Sequence, residues 1–202
     1  VSQHEAHVEF PKEVYEQIES IENEIDQEEA KTRTDLRNET IVTIDGDDAK
    51  DLDDAISLRR LKNGNYYLGV HIADVSYYVE EGSELDKEAL ARGTSIYLVD
   101  RFAISCFMEI TPQGEVIDHD IVESVINSTE RMTYNNVNKI LAGDKKLQEE
   151  YSHVCDLFFL MKELAEILQK TREDRGAIDF DTNEAKVLVD EKGIVHSEVK
   201  DS

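Results

Sequence analysis

Ile44-Asp45-Gly46-Asp47-Asp48-Ala49-Lys50-Asp51-Leu52-Asp53-Asp54-Ala55 places six aspartates within ten residues, between two apolar stretches. The run starts where Ile41-Val42-Thr43-Ile44 ends and passes into Ala55-Ile56-Ser57-Leu58, both short and strand-like. Read as strand, loop, strand, it makes the chain a sheet protein and sets the acids where two strands meet. Acidic runs on solvated surfaces usually have polar, low-complexity neighbours, and this one does not. Carboxylates crowded at strand ends repel one another unless a cation lies between them. Oxygen ligands without sulfur or histidine favour Mg²⁺ or Mn²⁺ over zinc. A calcium loop is the competing reading, since Asp45-x-Asp47 resembles its opening. It fails at Lys50, where a glycine is needed, and at Ile56, where a bidentate glutamate is needed.

Outward from the loop, strands are expected at about 41–45 and 54–61. Asn63-Gly64-Asn65 marks a hairpin turn into a strand from Tyr66 to Ala73. Ser83-Glu84-Leu85-Asp86 resembles a capping box before a helix at about 84–91. Strands follow at about 94–98, 102–110 and 115–126, with Pro112-Gln113-Gly114 as the turn between the last two. Tyr134 to Leu141 reads as a short helix, and 147–172 as a long one with Tyr151, Val154, Phe158, Met161, Leu164 and Leu168 on one face. A closing hairpin runs from Ala185 to Asp190 and from Ile194 to Val199, around Glu191-Lys192-Gly193. Pro11 opens an acidic amphipathic helix over about 12–30, with Val14, Ile18, Ile21 and Ile25 on its inner face and eight acids between Lys12 and Ala30. The expected fold class is α+β, a mostly antiparallel sheet with packed helices. No repeat, Pro/Ser-rich linker or low-complexity segment divides it, so residues 1–202 are expected to form one domain.

Composition sets limits on function. The 202 residues are 40% hydrophobic with eight Tyr and six Phe, enough for one real core. No apolar run approaches the ~20 residues of a membrane helix, and the opening residues are not expected to act as a secretory leader. Cys106 and Cys155 lie in apolar segments and are expected to be buried free thiols, which suits a cytoplasmic location. Forty-six acids against 22 bases give a net charge of −24, a field that by itself repels polyphosphates and anionic membranes. His71 has the type of a metal ligand, but it sits in an apolar strand and is expected to be a hydrogen-bonded core residue.

Two-metal phosphoryl chemistry needs several carboxylates around cations roughly 4 Å apart. Asp45 lies six residues before Asp51, and Asp51, Asp53 and Asp54 fall within four positions, so such a loop can converge on one point from two sides. The wider context is more specific. The string Thr43-Ile44-Asp45 to Lys50-Asp51-Leu52-Asp53-Asp54-Ala55, followed by Leu68-Gly69-Val70-His71-Ile72-Ala73-Asp74-Val75-Ser76, resembles the catalytic (RNB) domain of the ribonuclease II/ribonuclease R family. Gly82-Ser83-x-Leu85-Asp86, Arg92-Gly93-Thr94-Ser95-Ile96-Tyr97-Leu98, Arg131-Met132-Thr133-Tyr134 and Arg175-Gly176-Ala177-Ile178-Asp179-Phe180 extend the likeness in order across nearly the whole chain, closest to the ribonuclease R branch.

The resemblance implies a processive, Mg²⁺-dependent 3′→5′ exoribonuclease, monomeric, that hydrolyses single-stranded RNA to nucleoside 5′-monophosphates. It implies that Asp45, Asp51, Asp53 and Asp54 hold the metals, with Asp53 the most critical for cleavage and Mn²⁺ a possible substitute ion. Asp47 and Asp48 fall at positions the motif does not require and are expected to be solvated. Tyr97, Tyr134 and Phe180 fall where the family places rings against the terminal nucleotides; for Tyr97 and Phe180, beside strands, core packing is the alternative role. The likeness has two gaps. Arg101 runs directly into Phe102-Ala103-Ile104-Ser105-Cys106, where the family carries a Pro- and Leu-rich stretch near the active centre. The family's domain also continues well past the position of Ser202, with further helices and a catalytic arginine, and is flanked by basic cold-shock-like and S1-like modules. The expectation is a partial domain, weak or inactive alone, with the basic surface that would offset −24 lying elsewhere. The alternative function is a non-catalytic acidic module for metal or protein binding.

Overall fold

The computed structural model describes residues 10–21, 25–47, 49, 52–92, 101–177, 185–189 and 195–200. In chain order the elements are α1 (Lys12–Ser20), α2 (Gln27–Ala30), β1 (Thr34–Asp35), β2 (Val42–Asp45), β3 (Asp54–Arg60), β4 (Tyr66–Ala73), α3 (Val75–Tyr78) and α4 (Glu84–Arg92). There follow β5 (Arg101–Ile110), β6 (Val116–Ile126), β7 (Glu130–Thr133), α5 (Tyr134–Leu141), α6 (Lys145–Glu150), α7 (Ser152–Asp174), β8 (Ala185–Val189) and β9 (Val195–Lys200). By backbone contacts the chain divides into two units, Val1–Ile167 and Leu168–Ser202.

Seven strands form one sheet in the order β1-β6-β5-β4-β3-β2-β7, and β8 pairs with β9 separately. The four inner junctions, β6/β5, β5/β4, β4/β3 and β3/β2, are antiparallel. Both edges are parallel, β1 on β6 and β7 on β2. The α+β class holds, with a mixed sheet. Its register is set locally at the β3–β4 hairpin, where Gly64 adopts φ +88° and the Leu61 amide donates to the Asn65 carbonyl at 2.8 Å. One apolar cluster gathers Leu36, Ile41, Ala55, Ala103 and Ile126, with Phe107 against it. Ala30, Phe102 and Val125 form another, packed by Ile25 and Tyr78.

A polar chain crosses this core. His71 is 1% exposed, with Nε2 3.0 Å from Ser57 Oγ and Nδ1 2.7 Å from Ser105 Oγ. Ser105 Oγ lies 2.6 Å from Ser124 Oγ, which donates to the Ala103 carbonyl at 3.1 Å. Each hydroxyl has one proton, so the directions follow. Ser124 spends its proton on Ala103, Ser105 therefore donates to Ser124, and His71 Nδ1–H donates to Ser105. Neutral His71 then accepts from Ser57 at Nε2. Gly69 leaves the room for that last bond: a Cβ there would stand 2.4 Å from Ser57 Oγ and 2.9 Å from His71 Nε2. Gly69→Ala is expected to destabilise the chain by about 1–3 kcal/mol through overpacking and the displaced hydroxyl. A urea midpoint equal to wild type would show that the sheet absorbs the methyl.

Burial pushes the His71 imidazole from 6.5 down to about 4. Between those values the unfolded chain binds the proton and the folded chain does not, so the contribution of His71 is full above about pH 6.5 and fades as pH falls toward 4. The loss is on the order of 3 kcal/mol. His71→Asn keeps a donor for Ser105 but does not titrate, and its urea stability, measured from pH 7 to 4, should fall less steeply by that amount. Parallel curves would remove His71 as the cause.

Three expectations need correction. The acidic helix is not continuous over 12–30: α1 stops at Ser20, Ile21 is extended (ψ 122°), and Asp26 starts α2 by accepting from the Glu28 and Glu29 amides. A cap aspartate with extended backbone begins a helix and cannot lie inside one. The long C-terminal helix is likewise preceded by α6, which Asp144 caps, and Tyr151 at φ −102°, ψ 29° separates α6 from α7. Cys106 and Cys155 are free thiols as expected, but half-buried. The expected strand at 94–98 and the turn at Glu191-Lys192-Gly193 lie outside the described residues.

The aspartate loop and its surroundings

Asp45 is the last residue of β2 and Asp54 the first of β3. The Val42–Ile56 pairing fixes how those strands meet. Asp45 is half-buried, with Oδ2 shielded from solvent, whereas Asp53 and Asp54 are exposed. On the other side β4 anchors the acids: Asp54 pairs with Ile72, and the Ala73 amide donates to the Asp53 carbonyl at 3.0 Å. The backbone at Asp53 is therefore fixed while its carboxylate faces water.

Beyond β2 lies β7, in register from Val42–Glu130 to Asp45–Thr133. The Thr133 hydroxyl accepts from the Asn136 amide at 3.2 Å and caps α5, which makes Tyr134 the first helical residue. The Tyr134 side chain is 61% exposed. Asp45, Asp53, Asp54 and Tyr134 thus come to one end of the sheet. Asp48, Asp51, Tyr97 and Phe180 lie outside the described residues. Among the described residues no three His, Cys, Asp or Glu side chains are gathered as an ion-holding cluster. The donor type nevertheless fits a hard divalent cation: every acid of the loop offers carboxylate oxygen.

Two contacts, one from β7 and one from the first turn of α5, were not read from the sequence. Arg131 Nη2 donates to the Ala49 carbonyl, and Asn135 Nδ2 donates to Asp47 Oδ2 at 2.5 Å. Asp47 is exposed, but it is not merely solvated. The one hint in the sequence was the block Arg131-Met132-Thr133-Tyr134, whose first residue is one of the two.

A buried ion pair braces the sheet behind the loop. Asp74 follows β4 and is 6% exposed; its amide donates to the Phe102 carbonyl at 2.9 Å. Arg33 reaches Asp74 Oδ2 and Glu29 Oε1, both at 2.8 Å, with its guanidinium carbon 4.4 Å from the Phe102 ring centre. Burial works to raise the Asp74 carboxyl, but hydrogen bonds from Ser76 and Arg33 and the charge of Arg33 outweigh it and hold it below its usual range. The pair ties the segment after α2 to the end of β4, whose Ala73 amide holds the Asp53 carbonyl.

Comparison with known proteins supplies the family. The model of the RNB domain matches residues 33–102 and 99–202. The two matched segments overlap at 99–102, the region of the Arg101-Phe102 junction. The chain is 50% identical to Ribonuclease R 1 of Lactococcus lactis subsp. lactis (strain IL1403), over 92% of its own length and 26% of that protein's. It is 46% identical to Ribonuclease R of Thermotoga maritima, over 93% of the chain and 29% of the relative. The solved structure of Mycoplasma genitalium RNase R in complex with ribose methylated single-stranded RNA superposes with a TM-score of 0.79 at 26% identity, covering 96% of this chain and 33% of that one. The chain therefore spans about a quarter to a third of the length of these relatives. Among the described residues no helix is long and apolar enough to cross a membrane. Over the greater part of its length this chain belongs to the RNB domain family.

Proposed function

We propose that the chain supplies the metal-holding part of a 3′→5′ exoribonuclease that hydrolyses single-stranded RNA to nucleoside 5′-monophosphates. The observation that carries this reading is the backbone register, which brings Asp45, Asp53, Asp54 and the exposed Tyr134 to the same end of the sheet. The RNB match and the ribonuclease R relatives support it. In the proposal Asp45, Asp51, Asp53 and Asp54 hold Mg²⁺, for which Mn²⁺ can substitute. When bound, the ions supply charge neutralisation at the scissile phosphate and acidify the attacking water.

The chain's own residues do the rest. Asp45 offers a carboxylate partly withdrawn from water, and Asp53 and Asp54 offer solvent-facing ones. Tyr134 gives a stacking face worth roughly 1–3 kcal/mol per base, indifferent to base identity; Tyr97 and Phe180 are assigned the same role. At −24 the chain alone has little affinity for a phosphate backbone, so weak activity in isolation is part of the proposal. So are a monomeric parent enzyme and a cytoplasmic location, the latter suiting two free thiols. The test is a chimera of the Lactococcus Ribonuclease R 1 in which this chain replaces the segment it matches. With Mg²⁺ and 5′-labelled single-stranded RNA the product should shorten stepwise from the 3′ end. A folded chimera that binds RNA but leaves it intact would defeat the proposal.

A further inference from the structure

The strand–helix junction Arg131–Asn135 carries three separate attachments to the chain around the aspartates. Backbone pairing joins Thr133 to Asp45, Arg131 reaches the Ala49 carbonyl, and Asn135 reaches the Asp47 carboxylate. The junction is itself well fixed: Met132 is 1% exposed, and the Thr133 hydroxyl caps α5. The two tethers bridge 82 and 88 residues of sequence, so they are tertiary contacts and not features of the loop itself. We propose that Arg131 and Asn135 are positioning residues that hold Asp47 and Ala49, in the stretch leaving Asp45, for the binding of an ion by the neighbouring acids.

The physical reason is the charge of the loop. Closely spaced carboxylates repel one another, and a free loop relaxes by spreading them apart. An ion must then both neutralise and reorder it, and the ordering reduces the observed affinity. Two hydrogen bonds at Asp47 and Ala49, supplied by the protein itself, remove part of that ordering from the binding step. Neither residue is proposed as a ligand. Both side chains are exposed, so removing them should leave the core intact.

The inference rests on the metal reading above, and the test separates the two. The 202-residue chain is titrated with Mn²⁺ and the bound ion is followed by electron paramagnetic resonance, with circular dichroism and the melting temperature as controls for folding. Wild type should bind saturably and Asp53→Asn weakly. Asn135→Ala and Arg131→Met should each weaken Mn²⁺ binding about fivefold, roughly the value of one net hydrogen bond. Arg131→Lys, which keeps the charge and a donor, should recover part of the loss. On an Asp47→Ala background, Asn135→Ala should change nothing further, since its partner is already gone. Saturable wild-type binding with unchanged affinity in folded Arg131→Met and Asn135→Ala would overturn this inference alone. Absence of saturable binding in wild type would overturn the metal reading and this inference with it.

Discussion

Asp53→Asn in the Lactococcus chimera is expected to lose RNA cleavage by at least about a thousandfold, which corresponds to about 4 kcal/mol of transition-state stabilisation. RNA affinity should stay within about twofold. The substitution keeps size and shape, and removes one negative charge and one strong oxygen donor. Its fold effect should be small, within about 0.5 kcal/mol, because the side chain is exposed. The backbone hydrogen bond from Ala73 to the Asp53 carbonyl is untouched. Binding should survive because the stacking proposed for Tyr134, and contacts to phosphates elsewhere, would not pass through this carboxylate. Single-turnover cleavage and filter binding on the same preparations decide the matter. Cleavage within about tenfold of wild type would require another residue in that role.

Arg33→Leu should destabilise the chain by about 3–5 kcal/mol. The Arg33 side chain is 5% exposed and Asp74 is 6% exposed, so the substitution leaves a buried carboxylate with Ser76 as its remaining side-chain donor. The reverse change is milder. Asp74→Asn leaves Arg33 its 2.8 Å contact with Glu29, itself about a third exposed, and its place over Phe102. A loss nearer 1–2 kcal/mol is expected for it. The double variant Arg33→Leu/Asp74→Leu should recover part of the Arg33→Leu loss, because removing both charges removes the burial penalty too. Urea unfolding of the three variants tests the ordering; equal losses for the two single variants would break it. Acid should act on the same pair. The folded carboxyl lies below its usual range, so its stabilisation is complete above the ordinary value of 3.8 and is lost as pH falls through the lower folded value.

The local architecture was largely legible from the residues. β4 matches its expected bounds, and α5 matches from Tyr134 to Leu141 because Thr133 both pairs as strand and caps as helix. Hidden features depend on partners distant in sequence. Glu130-Arg131-Met132-Thr133 has no apolar alternation, and it becomes a strand only because β2 lies beside it. β1 is two residues long and owes its assignment to β6. The break at Tyr151 was missed because the apolar spacing continues through it; an aspartate cap seven residues earlier sets the first helix instead. At the site, the acids were legible as a string. Their tethers were not, since an arginine and an asparagine more than eighty residues away carry no local mark of the loop they hold. Asp47 shows the same limit: charge and position suggested solvation, and only the fold supplied Asn135.

The order of the sheet also bears on how the chain behaves at high concentration. Of its longest strands, the ten-residue β5 lies inside, while the eleven-residue β6 is covered by β1 at Ser124 and Val125 alone among the described residues. The two edges are β1 with two residues and β7 with four, and β7 turns at once into a helix. An incoming strand needs a long row of unpaired amides and carbonyls to copy; β7 offers a short one, and β6, beyond its two-residue pairing with β1, carries Asp118, Asp120 and Glu123, charges of the kind that blunt an edge. Fibre-like growth by strand addition is therefore disfavoured at this sheet. Self-association, where it occurs, should run through side chains on the sheet face, where Ile72, Ile104 and Ile121 are exposed, and should yield to mild detergent instead of seeding.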